Sequence, residues 1–161
     1  MCTNCKLGGG SVMYWAGFGI NGTTPLVEIH PKSNSLDYQD VLGQNIVRRG
    51  GKIAGRGWIF QHDNAAIHRS ASTKDYLERN GVRVLDWPSR SPDLNPIENL
   101  WGIMVRDVYA HGRQYNTLRE LKTAIQAAWA KLSLDTLRNL INSMKNRVFE
   151  VILNGGGITH Y

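Results

Sequence analysis

Pro88, Pro92 and Pro96 recur at every fourth position in WPSRSPDLNPIENLW, residues 87–101. Each proline fixes its own φ, removes a backbone donor and biases the preceding residue to extended backbone. Neither a regular helix nor a central strand can run through such a segment. The chain then changes character at once. Ile97, Leu100, Trp101, Met104, Val105 and Val108 recur at helical spacing. A stiff connector therefore delivers a strongly amphipathic helix with one carboxylate, Glu98, in its first turn.

Two more amphipathic helices follow. One carries Leu118, Leu121, Ala124, Ile125, Ala128, Trp129 and Leu132, and opens on the capping box Thr117-Leu118-Arg119-Glu120. The other carries Leu134, Leu137, Leu140, Ile141, Met144, Val148 and Val151. Upstream of the prolines, SVMYWAGF (11–18) reads as a buried strand, GING as a turn and TPLVEIH as a second strand, together a hairpin. SNSLDYQDVLGQNIVRR reads as a helix capped by Ser33 or Ser35, and GGKIAGRG as a flexible connector. WIFQHD (58–63) and VRVLDW are further strands, separated by a helix over SASTKDYLERNG that stops at Gly81. The order β-β-α-β-α-β-α-α-α predicts an α/β fold, a mixed sheet flanked by helices.

At 161 residues the chain suits one domain with a sizeable core. Its 19 Lys and Arg against 13 Asp and Glu give +6 and a pI near 9.5, a balance that leans towards a polyanionic partner. Cys2 and Cys5 form a lone C-x-x-C with no second pair at zinc spacing, so they read as incidental thiols of a reducing, intracellular setting. The apolar run 12–20 is too short to cross a bilayer.

Two carboxylates stand out. Asp63 closes a strand and sits in QHDNAAIH, among Gln61, His62, Asn64 and His68. Strand C-terminal ends collect chemistry in such sheets, and a short Asp carboxylate on a rigid backbone suits a hard cation. The bland alternative is that Asp63 or Asn64 caps the next segment. Glu98 has a stronger alternative, because Asn95-Pro96-Ile97-Glu98 matches the grammar of a capping box. On a helical wheel Glu98 falls at the edge of the apolar stripe, where a side chain can face a cleft. His62 and His68 face either a phosphate or solvent. Arg48, Arg49, Lys52 and Arg56 form an acid-free basic run that either tracks a phosphate backbone or is a solvated loop.

GGGSVMYWAGF, WIFQHDNAAIH, WPSRSPDLNPIENLW and NGGGITHY together resemble the catalytic domain of Tc/mariner-type transposases of the DDE superfamily. The resemblance runs from about Gly8 to Tyr161, with the motifs in the family's order. It implies a ribonuclease H-like fold and a three-carboxylate site holding two Mg²⁺ or Mn²⁺ ions. Asp63 would be the second acid and Glu98 the third, both catalytic and both metal ligands. Such a site cleaves and joins DNA by in-line displacement. The implied partners are transposon-end and target DNA and a second copy of the chain, with no membrane; Arg48, Arg49, Lys52, Arg56 and His68 are candidate DNA contacts from their charge and position. The implied compartment is the nucleus. One departure matters. The family's first Asp lies upstream of the glycine block, yet residues 1–7 contain no Asp or Glu. The expectation is thus a short extension over 1–7, a catalytic domain over 8–161 lacking its first strand, and no activity from the chain alone. The alternative is a non-catalytic nucleic-acid- or protein-binding remnant.

Overall fold

The computed structural model describes residues 2–7, 10–86, 91–157 and 159–161, with side chains from Val12 onward in the opening strands. The glycine block precedes the apolar run, and the chain pairs on both sides of it. Strand β1 (Cys2–Leu7) lies antiparallel to β2 (Gly10–Trp15), and β2 lies antiparallel to β5 (Val27–Ile29), giving the order β1-β2-β5. The β2–β5 pairing is the expected hairpin, with a two-residue ribbon, β3 (Phe18–Gly19) and β4 (Gly22–Thr23), inserted at its tip. β1 changes the reading of residues 1–7 as a mere extension: Cys2–Leu7 form a strand in register with β2. That strand carries no acid.

The side chains of β2 alternate as a sheet with two covered faces requires. Val12 and Tyr14 point to a cluster with Ile97, Leu100, Trp101 and Met104. Trp15 points to a second cluster with Tyr38, Leu42, Ile46, Phe60 and Leu77. The first cluster is built from the three predicted C-terminal helices, α5 (Pro96–Val108), α6 (Leu118–Ala130) and α7 (Leu134–Leu153). The second comes from α1 (Ser35–Leu42) and α4 (Ala71–Arg79). Layers of helix on both faces of a sheet are the predicted α/β arrangement.

Three local readings change. The cap of α1 is Asn34 rather than a serine: its Oδ1 accepts from Leu36 and Asp37 N–H, and the Asp37 carboxylate accepts in turn from Asn34 N–H. The expected flexible connector is a short helix, α2 (Gly50–Ala54), reached through a π-turn over Gly43–Val47. Its glycines serve close packing. A Cβ on Gly50 would lie 2.4 Å from the Trp58 ring, and one on Gly19 would lie 2.4 Å from the Ile53 carbonyl oxygen of α2. Finally, the strands predicted around 58–63 and 82–87 shrink to one parallel bridge, Phe60 to Val84, with Phe60 N–H on Arg83 O and Leu85 N–H on Phe60 O. That bridge still carries the chain to Asp63. Trp87 and Pro88 lie outside the described residues.

Candidate active site

Asp63 follows the Phe60 bridge and precedes a four-residue helix, α3 (Ala66–Arg69). Its Oδ1 accepts the Ala65 N–H at 3.1 Å and is also bonded to His68 Nδ1. The bond to Ala65 braces the turn before α3, whose N-cap is Ala65 without a side-chain cap, so Asp63 is not the helix cap of the bland alternative. Burial alone would push the Asp63 carboxyl up. The hydrogen bond and charge of His68, with the Ala65 N–H, outweigh that and hold it at about 2.

His68 corrects a sequence reading. The sequence places it at a DNA-facing or solvated surface, whereas it is 3% exposed. Its ring stacks on Tyr38 at 4.0 Å between centroids and on His62 at 5.3 Å, and Tyr38 Oη meets His62 Nδ1 at 3.0 Å. Burial first, then the neighbouring His68, lowers His62 to about 4, so His62 is neutral near neutral pH.

Glu98 occupies the first turn of α5 behind Asn95 at the N-cap and Pro96 at N1, as the grammar predicts. The capping box itself does not form. Asn95 makes no side-chain cap bond, and its backbone N–H is taken by Pro92 O at 2.9 Å within a 3₁₀ turn, Pro92–Leu94. Glu98 Oε1 is buried without a hydrogen-bond partner. Burial, reinforced by the negative charge of Asp63, raises the Glu98 carboxyl above its ordinary value.

Two ties set this pair. Gln61 Nε2, two residues before Asp63, donates to Leu94 O, four residues before Glu98, at 2.9 Å. From α7, Arg147 reaches both sides of the Glu98 turn. Its Nη1 donates to Asp93 O at 2.6 Å and to Asn99 Oδ1 at 2.9 Å, and its Nε donates to Ser143 Oγ at 2.9 Å. Arg147 is 1% exposed, with the Tyr161 ring 4.6 Å from its guanidinium carbon. The tail adds a further tie, Thr159 N–H to Asp93 Oδ2 at 2.9 Å. Sequence reading missed Arg147. The closing NGGGITHY motif, which supplies Thr159 and Tyr161, was the one signal for this corner.

Arg48, Arg49, Lys52 and Arg56 are all exposed around α2. Gly50 and Ile53 of α2 line a cavity of about 330 Å³ that extends to Gln61, His62, Asn95 and Pro96, the neighbours of both acids. The basic run thus shares helix α2 with residues that line this cavity. Among the described residues no group of three or more His, Cys, Asp or Glu converges to hold a metal ion, and no helix is long and apolar enough to cross a membrane.

This arrangement fits a divalent cation in part. An unpartnered buried carboxylate oxygen on Glu98 and a second oxygen on Asp63 that no described donor occupies are hard ligands of the right type. Two carboxylates make an incomplete cage, and residues outside the described set add no Asp or Glu.

Comparison with known proteins agrees with the geometry. The Tc3 transposase of Caenorhabditis elegans is 43% identical over 156 residues, covering 97% of this chain and 47% of that protein. The Tcb1 transposase of Caenorhabditis briggsae is 35% identical over 161 residues, covering 99% of this chain and 58% of its own length. The chain thus spans about half the length of the curated relatives it matches. The Mos1 transposase catalytic domain shares its fold with a TM-score of 0.84 at 20% identity, over 99% of this chain and 83% of that one. Mos1 has been solved with Mg and with Mn, and in paired-end and strand-transfer complexes. A family model described as DDE superfamily endonuclease matches residues 9–122, a span that includes both acids and the proline stretch, and the chain belongs to that superfamily, with Tc3- and Tc1-type transposases as its relatives.

Proposed function

We propose that this chain is the catalytic region of a Tc/mariner-type DNA transposase, with Asp63 and Glu98 as its metal-binding, catalytic acids and duplex DNA as its substrate. The observation that carries the reading is the buried, unpartnered Oε1 of Glu98, in a turn that the Gln61–Leu94 hydrogen bond ties to the Asp63 segment. A carboxylate left without a donor in a half-buried turn is costly unless a cation completes it. Mg²⁺ or Mn²⁺ held there would act as a Lewis acid on the attacking and leaving oxygens of a phosphodiester. The chain's own part is to fix the ligands. His68 and Ala65 hold Asp63 Oδ1, Gln61 ties the two acid segments together, and Arg147 clamps the Glu98 turn. Arg48, Arg49, Lys52 and Arg56 would receive the phosphate backbone beside the cleft. Such work on chromosomal DNA belongs in the nucleus.

The acid count favours a second element of the reading. With only two candidate carboxylates, two dications would keep much uncompensated charge. The chain alone is therefore expected to bind DNA and a divalent cation without cutting, which is also how a non-catalytic remnant would behave.

Electron paramagnetic resonance of free Mn²⁺ tests the site. Bound Mn²⁺ should be lost in both Asp63→Asn and Glu98→Gln; equal binding by the wild type and both variants would overturn the assignment. A nicking assay on supercoiled plasmid tests competence. Mn²⁺-dependent nicking that Asp63→Ala abolishes would refute inactivity. DNA retention should weaken with salt. Replacing the four basic residues by Ala should flatten that dependence by about 0.9 in log–log slope for each phosphate no longer neutralised.

A further inference from the structure

His68 lies outside the set of acids that the proposed reaction uses, yet it is more deeply buried than Asp63. It is 3% exposed, while Asp63 is partly exposed. A buried histidine needs partners for its ring nitrogens, and this one directs Nδ1 at Asp63 Oδ1, with the Asp63 carbonyl oxygen 3.3 Å away. The ring cannot swing aside. Tyr38 covers one face at 4.0 Å, the His62 ring lies stacked at 5.3 Å with planes 11° apart, and the His68 backbone N–H is bonded to Ala65 O at 2.9 Å. Two donors, the Ala65 N–H and His68 Nδ1–H, thus converge on one oxygen of the carboxylate. Among the described residues Oδ2 receives none.

We propose that His68 is a positioning residue for Asp63: its Nδ1–H fixes Oδ1 and leaves Oδ2 as the single oxygen offered to a divalent cation. The inference rests on the reading of Asp63 as a metal ligand and adds how that ligand is oriented. A carboxylate free to rotate about its last bond offers either oxygen, or both, to a cation. One pinned at Oδ1 offers a single oxygen in a fixed direction, and loss of a partner of this kind typically costs about 10–100-fold in metal affinity. Stacking on Tyr38, with His62 alongside and bonded to Tyr38 Oη, makes the donor rigid, which the same bond from a flexible side chain would not be. The Tyr38–His62–His68 array therefore has a purpose beyond filling space: it carries rigidity from α1 to the carboxylate.

The test measures Mn²⁺ affinity of the purified chain by electron paramagnetic resonance, with thermal melts in chelator as the folding control. His68→Asn places an amide N–H where Nδ1–H was and should bind Mn²⁺ close to wild type. His68→Leu removes the donor and should weaken binding by about tenfold or more. His68→Gln carries its donor one methylene too far and should weaken binding too, so the Asn and Gln pair decides the matter if the Leu variant does not fold. Full affinity in a folded His68→Leu, or equal loss in His68→Asn and His68→Gln, would overturn the proposal, since packing alone would then explain His68. Asp63→Asn separates the two levels. If it binds Mn²⁺ as the wild type does, the metal-site reading fails. If it loses binding while all His68 variants keep it, the site stands and His68 is only structural.

Discussion

Arg147→Met is the perturbation that most directly tests how the Glu98 turn is held. Methionine keeps an unbranched apolar stem, shorter than that of arginine, and has no donors. Arginine supplies three bonds here, to Asp93 O, Asn99 Oδ1 and Ser143 Oγ. Ser143 keeps its own bond to Leu140 O at 2.7 Å, so it is not orphaned. Asp93 O and Asn99 Oδ1, both on half-buried residues, lose the Arg147 donor, and an unsatisfied acceptor there costs in the lower part of the about 1–3 kcal/mol seen for buried groups. Two of them at about 1.5 kcal/mol each give a loss of about 3 kcal/mol. Removing the charge also removes its desolvation cost, which keeps the sum below the about 3–5 kcal/mol seen when a buried pair is broken from one side. With a urea dependence of about 2 kcal/mol/M for a chain of this size, the midpoint should fall by about 1.5 M. The stacked Trp101 and Trp129, 5.3 Å apart in the adjoining core, give a fluorescence signal for the transition. Arg147→Lys should recover part of the loss, because one ammonium can serve one of the two acceptors. A midpoint within about 0.3 M of wild type for Arg147→Met would refute the clamp.

Three further outcomes follow from the same geometry. Leu100, fully buried between the sheet and α6, should cost about 2–5 kcal/mol on change to Ala, read from the same urea curves. Glu98→Gln should raise the urea midpoint near neutral pH. A carboxyl whose folded pKa is raised stabilises only below its ordinary value of 4.5 and loses that contribution as pH rises, so the gain should vanish in acid. The reverse sign holds for His62 and Asp63, whose folded values of about 4 and about 2 lie below the ordinary 6.5 and 3.8. Their contributions are complete above 6.5 and 3.8 and are lost as pH falls through those windows. The midpoint should already drop between about pH 7 and about pH 5, and a flat profile there would contradict a buried neutral His62.

The three C-terminal helices were legible because their apolar spacing is long and periodic. Ile97, Leu100, Trp101, Met104 and Val108 are buried as the stripe requires, and so are Leu121, Ile125 and Trp129. The stripe of α7 fades in its second half, where Val148, Phe149, Ile152 and Leu153 are exposed. Asp63 and Glu98 were singled out by motif and spacing. Their supports were not. Arginine in a helix reads as surface, since arginines are mostly exposed. Nothing local marks Arg147, because its partners Asp93 and Asn99 lie 54 and 48 residues away in the chain. His68 was hidden for a related reason: five residues from Asp63 across a turn is not a period of any regular element. The strands around Phe60 and Val84 looked longer in sequence than they are, because β-branched and aromatic residues report a buried apolar environment as readily as a ladder.

The same chain writes one sequence grammar twice, and comparing the two copies explains the prolines. At Thr117–Glu120 the grammar works as a cap: Thr117 Oγ1 accepts from Glu120 N–H at 3.2 Å, and the Glu120 carboxylate accepts from Asn116 N–H at 3.0 Å. At Asn95–Glu98 it does not, because Asn95 N–H is already committed to Pro92 O in the 3₁₀ turn. A proline opening that turn presets its φ and steepens the preference for it. The turn thus removes the donor that would otherwise hold Glu98 in a cap, and leaves its carboxylate with a buried oxygen to offer. Pro92→Gly should undo this. A looser turn frees Asn95 N–H, Glu98 folds back on it, and a hydrogen bond to the charged form lowers the Glu98 pKa. Carboxyl carbon NMR should show that fall, and Mn²⁺ affinity should drop although both acids remain. Unchanged Mn²⁺ affinity with an unchanged Glu98 titration would mean that the proline only stiffens a connector.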